Sequence, residues 1–378
     1  MNITEKIKIL GEAGKYDACA SSGSTRKVSM NKNNVGNVVG PGICHSFTPD
    51  GRCVSLFKTL MTNNCKMDCK YCTNSSTSKC HKKIAKFSPD ELAKTVMHLY
   101  TGNYIEGLFL SSGISQNADQ STQEMIDSVN LLRSKYHFQG YVHLKILPGV
   151  NRDLIKQSAL VADRLSVNLE APSSSRLSMI SDCKDYKIDI LRRQSWIKRS
   201  KVAAGQTTQF VVGGADESDL EILKMSNWEY DNMDLNRAYY SSFIPVSNTF
   251  MANKSQGPLQ REHRLYNVDF MLRKYESIKL NEFKAVVDDI GNLPDGDPKI
   301  HLAKQYFDRP IDVNEATTEE LIRIPGVGPT SLQRIQDLQR KGVKLTKRQE
   351  LQNIGVVTKR AMPFLRINGW HQRTLEAF

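Results

Sequence analysis

Residues 54–72 read VSLFKTLMTNNCKMDCKYC. The first eight (54–61) form a near-continuous apolar run, the pattern of a strand covered on both faces. Directly after it Cys65, Cys69 and Cys72 follow the spacing C-x3-C-x2-C. Working outward, the run is the first of six. GLFLSS (107–112), YVHLKIL (141–147), RLSVNLE (164–170), TTQFVVG (207–213) and YYSSFIPV (239–246) repeat it. Helical patterns fill the gaps at 88–101, 119–137, 151–161, 184–203, 216–229 and 259–275. The first opens with SPDEL, where Ser88 suits an N-cap and Pro89 the first turn. Six strand–helix alternations predict parallel strands joined by crossover helices. An open doubly wound sheet and a closed or partial barrel both fit that pattern.

The chain has 378 residues, enough for two or three domains at about 150 residues each. Hydrophobic residues make up 39% and charged residues 24%, which excludes wholesale disorder. No run approaches the roughly 18 apolar residues of a spanning helix. The opening MNITEKIKILGEAGKYD is charged throughout and has no apolar leader core, which predicts a cytoplasmic protein. In that compartment eight cysteines argue for metal or redox chemistry rather than disulfides. The formal charge of +12 predicts an acidic partner, nucleic acid being the common one.

Three thiolates on one short loop suit an iron–sulfur cluster, and a four-iron cluster takes four ligands. One iron is then left without a protein ligand, and an open metal position is where chemistry happens. A zinc site is the alternative, with Cys80 or His81 as fourth ligand. Cys19, Cys44 and Cys53 predict buried thiols or, less simply, a second cluster, and Cys183 reads as structural.

The triplet, its place before a series of strand–helix units and the aromatic Tyr71 resemble the radical S-adenosylmethionine superfamily. That resemblance implies a partial (β/α)6 TIM-like barrel carrying a [4Fe-4S] cluster on Cys65, Cys69 and Cys72. It implies S-adenosylmethionine chelated to the open iron, a one-electron reductant, and a 5'-deoxyadenosyl radical that removes hydrogen from a substrate. Ligands of parallel barrels sit at the carboxyl ends of the strands. Ser111, Ser112 and Gly113 then stand where the family has a Gly-Gly-Glu-like motif whose carbonyls receive the methionine amino group. Here two serines replace the first two residues and no Glu follows Gly113. Glu170, with Asn168 on the same face, would hold the ribose hydroxyls or the amino group. Lys145 would meet the cofactor carboxylate or pair with Glu170. Gly213 and Gly214 permit close approach by an adenine, or mark only a turn. Tyr239, Tyr240 and Ser241 are candidate substrate contacts.

The rest divides into a loop-rich lobe (1–53), the barrel (54–280), a linker (281–311) rich in Pro and Asp, and a small all-α module (312–378). The module holds 11 Lys/Arg and 7 Asp/Glu. Its stretch VNEATTEELIRIPGVGPTSLQRI (313–335) resembles a helix–hairpin–helix DNA-binding motif, with a degenerate second copy around Ile354 and Gly355. Glycines in such a turn let a phosphate approach the amides that open the next helix. Arg323, Gly326, Val327, Gly328, Thr330 and Arg334 are the candidate contacts, sequence-tolerant because no base is read. An αα-hairpin that mediates protein contacts is the plainer alternative.

Barrel and tail together, with ICHSFTPDGRCVSLFKTLMTNNC (43–65), resemble a bacterial and archaeal family described as DNA modification or repair radical S-adenosylmethionine proteins. The resemblance implies hydrogen abstraction from a base or sugar in DNA, and a uracil-DNA-glycosylase-like protein as a partner. An RNA-modifying radical enzyme and a non-catalytic metal-containing DNA-binding protein are the alternatives.

Overall fold

The computed structural model describes residues 1–14, 42–47, 53–80 and 82–371, in two compact units. The first comprises Met1–Glu217 and Trp228–Gly257, the second Ser218–Asn227 and Pro258–Phe378.

The first unit runs α1 (Ile3–Ala13), β1 (Ile43–Phe47), β2 (Cys53–Leu60), α2 (Pro89–Thr101), β3 (Gly107–Ser111), α3 (Ala118–Ser134), β4 (Tyr141–Lys145), α4 (Arg152–Val161), β5 (Arg164–Ser166) and α5 (Ser174–Ile180). A π-helical turn (Tyr186–Leu191) leads into α6 (Arg192–Ser200), then β6 (Gln206–Val212), α7 (Asp219–Met233, whose first half belongs to the second unit) and β7 (Leu235–Ser242). One seven-stranded sheet has the order β1 to β7. β2 to β7 are all parallel, as the alternation predicts. Residues at the ends of β2 and β7 line one cavity, so the sheet curls into a half-barrel. Every residue of β3 and of β6 is buried, which is why those strands read as unbroken runs.

Local signals start the helices. Ser88 accepts from the Glu91 amide while the Glu91 carboxylate accepts from the Ser88 amide, a reciprocal capping box. Asn117, Asn151 and Ser173 cap α3, α4 and α5 in the same way through their side-chain oxygens.

Two features differ from expectation here. The lobe expected to be mostly loop contributes β1, which pairs antiparallel with β2 (Ile43 opposite Phe57, Cys44 opposite Leu56). Five residues at a sheet edge carry too little apolar periodicity to stand out. The segment 171–183, read as a gap, contains α5, only seven residues long.

The second unit contains α8 (Leu259–Lys274), α9 (Leu280–Phe283), α10 (Pro298–Tyr306), β8 (Ile311–Asp312), α11 (Thr318–Arg323), α12 (Pro329–Arg340), α13 (Arg348–Asn353), α14 (Thr358–Ala361), a 3-10 turn (Met362–Phe364), β9 (Leu365–Ile367) and β10 (Trp370–His371). Its core joins Val313, Leu321, Ile324, Val327, Ile335, Leu351 and Leu365. The stretch 281–311 is not a linker. It folds as α9 and α10 and buries Phe283, Leu302 and Ala303. Nor is the tail all-α, because β8, β9 and β10 form a three-stranded sheet. Strands of two or three residues are too short to show alternation.

Candidate active site

The loop after β2 is fastened on both flanks. On one, Met61 N donates to Ser111 O (2.8 Å), Gly113 N to Thr62 O (2.8 Å) and Lys66 N to Ile114 O (2.8 Å). Gly113 is required for this closeness, since a Cβ there would stand 2.4 Å from the Asn64 carbonyl oxygen. On the other flank, Lys70 N donates to Ile180 O (2.9 Å). The Asp68 carboxylate accepts from Ser181 Oγ (2.6 Å), Asp182 N (2.8 Å) and Cys183 Sγ (2.9 Å). Burial raises the Asp68 pKa, but hydrogen bonds from Cys183, Ser181 and Asp182 outweigh it and hold the group at about 2. Cys183 therefore has the structural place expected of it.

This framing brings Cys65, Cys69 and Cys72 to the wall of one cavity of about 200 Å³. Backbone amides already point at two sulfurs: Ile114 N donates to Cys65 Sγ (3.4 Å) and Asn74 N to Cys72 Sγ (3.3 Å). Burial pushes the Cys69 thiol up and the Cys72 thiol up to about 12. Thiolates so placed call for a cation held among them, which a metal cluster supplies. Among the described residues no three Cys, His, Asp or Glu side chains close around a single-ion position. Cys80, the fourth ligand of the zinc alternative, donates its thiol to Ser247 O (3.3 Å). His81 lies outside the described residues, as do Cys19 and the surroundings of the Cys53 side chain, so a second cluster on Cys19, Cys44 and Cys53 falls there too.

Tyr71, Ser111, Ser112, Gly113, Lys145, Asn168 and Glu170 line the same cavity. Burial, then the Glu170 charge, pushes the Tyr71 phenol well up, so it stays protonated. The Ser111 carbonyl already accepts from Met61 N, and Ser112 Oγ donates to Gly113 O (2.7 Å). Glu170 has φ +65°, a left-handed conformation that costs a non-glycine residue about 1 kcal/mol. Its amide donates to Gln209 O (2.9 Å) and its carbonyl accepts from Val211 N (2.8 Å), which fixes the residue at the strand end.

Glu170 forms an ion pair with Lys184, at 3.8 Å. Lys184 is the residue the sequence reading missed. Burial alone would drive its ammonium toward neutrality, but the Cys69 and Glu170 charges outweigh that and raise its pKa. It precedes a helix in a mostly polar stretch, SDCKDYK (181–187), which does not mark it as buried. Gln209 and Ser242 also line the cavity.

Gly213 and Gly214 are a correction. They form a turn outside the cavity wall, where the amides of Gly213 and Ala215 donate to the Glu217 carboxylate. Tyr239 and Tyr240 belong to the packing: Tyr240 stacks on Phe210 at 6.0 Å, while Ser241 faces the cavity.

In the second unit the turn Ile324–Gly328 is present between α11 and α12. Gly326 (φ +86°) approaches the second turn so closely that a Cβ would lie 2.5 Å from Val357 O. Val357 N donates back to Gly326 O (2.9 Å). Gly326, Val327, Gly328 and Thr330 line an open cleft of about 380 Å³, with the Val327 side chain itself buried in the core. Arg334 stays exposed and donates to Ile354 O (3.1 Å). Arg323 corrects expectation. It is 5% exposed, and its guanidinium binds the Glu282 carboxylate (2.8 Å) and Ser277 O (2.7 Å), so it braces the unit instead of facing solvent.

Residues 49–179 match the family described as a 4Fe-4S single cluster domain. No curated protein matches the sequence. Among solved structures, HydG, a maturase of the [FeFe]-hydrogenase, is similar with a TM-score of 0.47 and 10% identity over 78% of this chain and 79% of that one. Methylornithine synthase (PylB) is similar with a TM-score of 0.45 and 11% identity over 78% of this chain and 84% of that one. Coproporphyrinogen III oxidase (HemN) from Escherichia coli, a radical SAM enzyme, is similar with a TM-score of 0.36 and 11% identity over 64% of this chain and 55% of that one.

The matched segment contains all three cysteines, and the donor set fits the group. The C-x3-C-x2-C thiols stand at the carboxyl ends of the strands of the half-barrel and inside the matched segment, where they would hold a 4Fe-4S cluster. The group this family match implies is a 4Fe-4S cluster. Among the described residues no helix is long and apolar enough to cross a membrane.

Proposed function

We propose that this chain is a radical S-adenosylmethionine enzyme that modifies or repairs a base or sugar in DNA. One observation carries the chemistry: the three thiols of Cys65, Cys69 and Cys72 and the Glu170–Lys184 pair face one cavity at the carboxyl ends of six parallel strands. When bound, the cluster supplies one electron to S-adenosylmethionine and so makes hydrogen-atom abstraction from a substrate available.

The chain's own residues divide the work. Cys65, Cys69 and Cys72 hold the cluster, and the amides of Ile114 and Asn74 moderate the sulfur charge. Glu170, Asn168 and Lys145 present polar groups for the amino, ribose and carboxylate groups of the second cofactor. Tyr71 and Leu147 help exclude water from the cavity. Lys184 keeps an ammonium beside Cys69 and Glu170, so their negative charge is compensated inside a low-dielectric wall.

The DNA assignment rests on the second unit. Its paired glycine turns, the opening of α12 beside a cleft and the excess of Lys and Arg in 312–378 suit sequence-tolerant phosphate binding. A glycosylase-like protein as partner and a one-electron reductant belong to the same proposal. The test is S-adenosylmethionine cleavage under anaerobic reduction, with and without duplex DNA or folded RNA. DNA that raises 5'-deoxyadenosine yield and acquires a modified nucleoside supports the reading. Stimulation by RNA alone moves the substrate to RNA, and no response to either removes nucleic acid as the substrate.

A further inference from the structure

The cleft of the second unit contains a buried lysine that the proposed function does not use. Lys299, the second residue of α10, lines it together with Tyr275, Asp297, the turn Gly326–Gly328, the start of α12 and Arg360. Its Nζ donates to Val327 O (2.6 Å) and stands 4.8 Å from the centre of the Tyr275 ring. The residue is only 7% exposed.

We propose that this cleft is a phosphate seat in which Lys299 is the cation and the first-turn amides of α12 are the neutral donors. The proposal rests on the nucleic-acid reading for the source of the phosphate, and names the residues that would recognise it.

Three observations carry it. First, Lys299 has no carboxylate within ion-pair distance among the described residues. The unit's other buried cations among the described residues have one: Arg264 with Asp295 and Arg323 with Glu282. The nearest acid, Asp297, is taken by the Arg360 guanidinium and by the amide of Lys299 itself. A buried ammonium lacking a counter-ion is costly, and an entering anion removes that cost. Second, α12 is a 12-residue helix whose N-cap, Gly328, offers no side chain to its first amides. Nothing lies within 4 Å of where a Gly328 Cβ would be, so that approach is open. Third, Thr330 and Ser331, which carry those amides, line the same cleft as Lys299. A tetrahedral phosphate accepts from an ammonium and from helix-opening amides at once.

The charge state makes the seat testable. Burial lowers the Lys299 pKa to about 7; Asp297 opposes that and Arg360 reinforces it. The groups facing Lys299 are Asp297 on its own turn, Tyr275 after α8, the Val327 carbonyl on the hairpin and Arg360 on α14. A bound phosphate favours the ammonium, so binding takes up a proton near neutral pH.

Calorimetry of the full chain against inorganic phosphate and, separately, a short DNA duplex, in buffers of different ionisation heat, reads that proton directly. The expected result is uptake approaching one proton near pH 8. Affinity should fall roughly tenfold or more between about pH 6.5 and 8.5. Lys299→Gln should weaken binding about tenfold and abolish the pH dependence, while Lys299→Arg should bind with no pH dependence. Inorganic phosphate bound in this way, with no DNA binding, supports the seat for a free phosphate compound and removes the DNA reading. DNA binding without proton uptake, or unchanged in Lys299→Gln, overturns the seat and leaves the DNA reading standing. No binding of either probe overturns both. The wild-type proton count decides even if a variant fails to fold.

Discussion

Lys184 in the first unit and Lys299 in the second are both buried ammonium groups, and their pKa values move in opposite directions. Burial lowers both. Lys184 lies beside Cys69 and Glu170, whose charges more than reverse the effect. Lys299 has a carbonyl and an aromatic ring for company, and falls to about 7. The lesson is that burial does not decide a charge; the counter-ion does. The first unit carries its anions built in, in Cys69 and Glu170. The second is one anion short. Glycines mark a parallel between the two. Gly113 seats the cluster loop 2.4 Å from a carbonyl as measured to its absent Cβ, and Gly326 seats one hairpin on the other at 2.5 Å.

The strongest break of this comparison is removal of the thiols. Cys65→Ala with Cys69→Ala and Cys72→Ala should leave no bound iron and no 5'-deoxyadenosine above background, while DNA affinity stays within twofold. Iron analysis and a filter-binding assay read both. Next, Lys184→Met removes the ion-pair partner of the buried Glu170 carboxylate. A loss of about 3 kcal/mol is expected in denaturant unfolding, with lower cluster occupancy. Gly113→Ala and Gly326→Ala sharpen the parallel, since each forces a Cβ into a carbonyl at a cost of about 1–3 kcal/mol. The first should lower iron content and spare DNA binding, and the second should do the reverse. Loss of both functions in either variant would show the units are not separate in function.

The smallest effects are opposite slopes of stability with pH. Between about pH 7 and 10.5 unfolded Lys299 binds a proton that the folded residue lacks, so its contribution to stability rises with pH. Glu229 in the first unit is held up at about 8 by burial, against a hydrogen bond from Gln194. Between about pH 4.5 and 8 its folded form keeps a proton that the unfolded form releases, so that contribution falls as pH rises. Each slope is at most about 1.4 kcal/mol per pH unit. Lys299→Met and Glu229→Gln should each flatten its own window in thermal unfolding.

The parallel strands β2 to β7 were legible because burial on both faces forces long apolar runs. The cysteine triplet was legible because its ligands are neighbours in sequence. What was hidden depends on distant partners. Lys184 gains its meaning from Cys69, more than a hundred residues earlier, and from Glu170. Arg323 reads as surface charge until Glu282 and Ser277 close on it. Gly213 and Gly214 suit a ligand or a turn equally, and only the Glu217 carboxylate on their amides decides. The short strands β8, β9 and β10 carry too few residues for any periodicity.

The central claim is a cluster with one iron open to S-adenosylmethionine. The direct measurement is electron paramagnetic resonance of the anaerobically reconstituted, reduced protein before and after S-adenosylmethionine is added. The account predicts a reduced [4Fe-4S] signal that changes on addition and is missing from the triple cysteine variant. A signal that ignores S-adenosylmethionine, or zinc in place of iron in protein purified without oxygen, would contradict it.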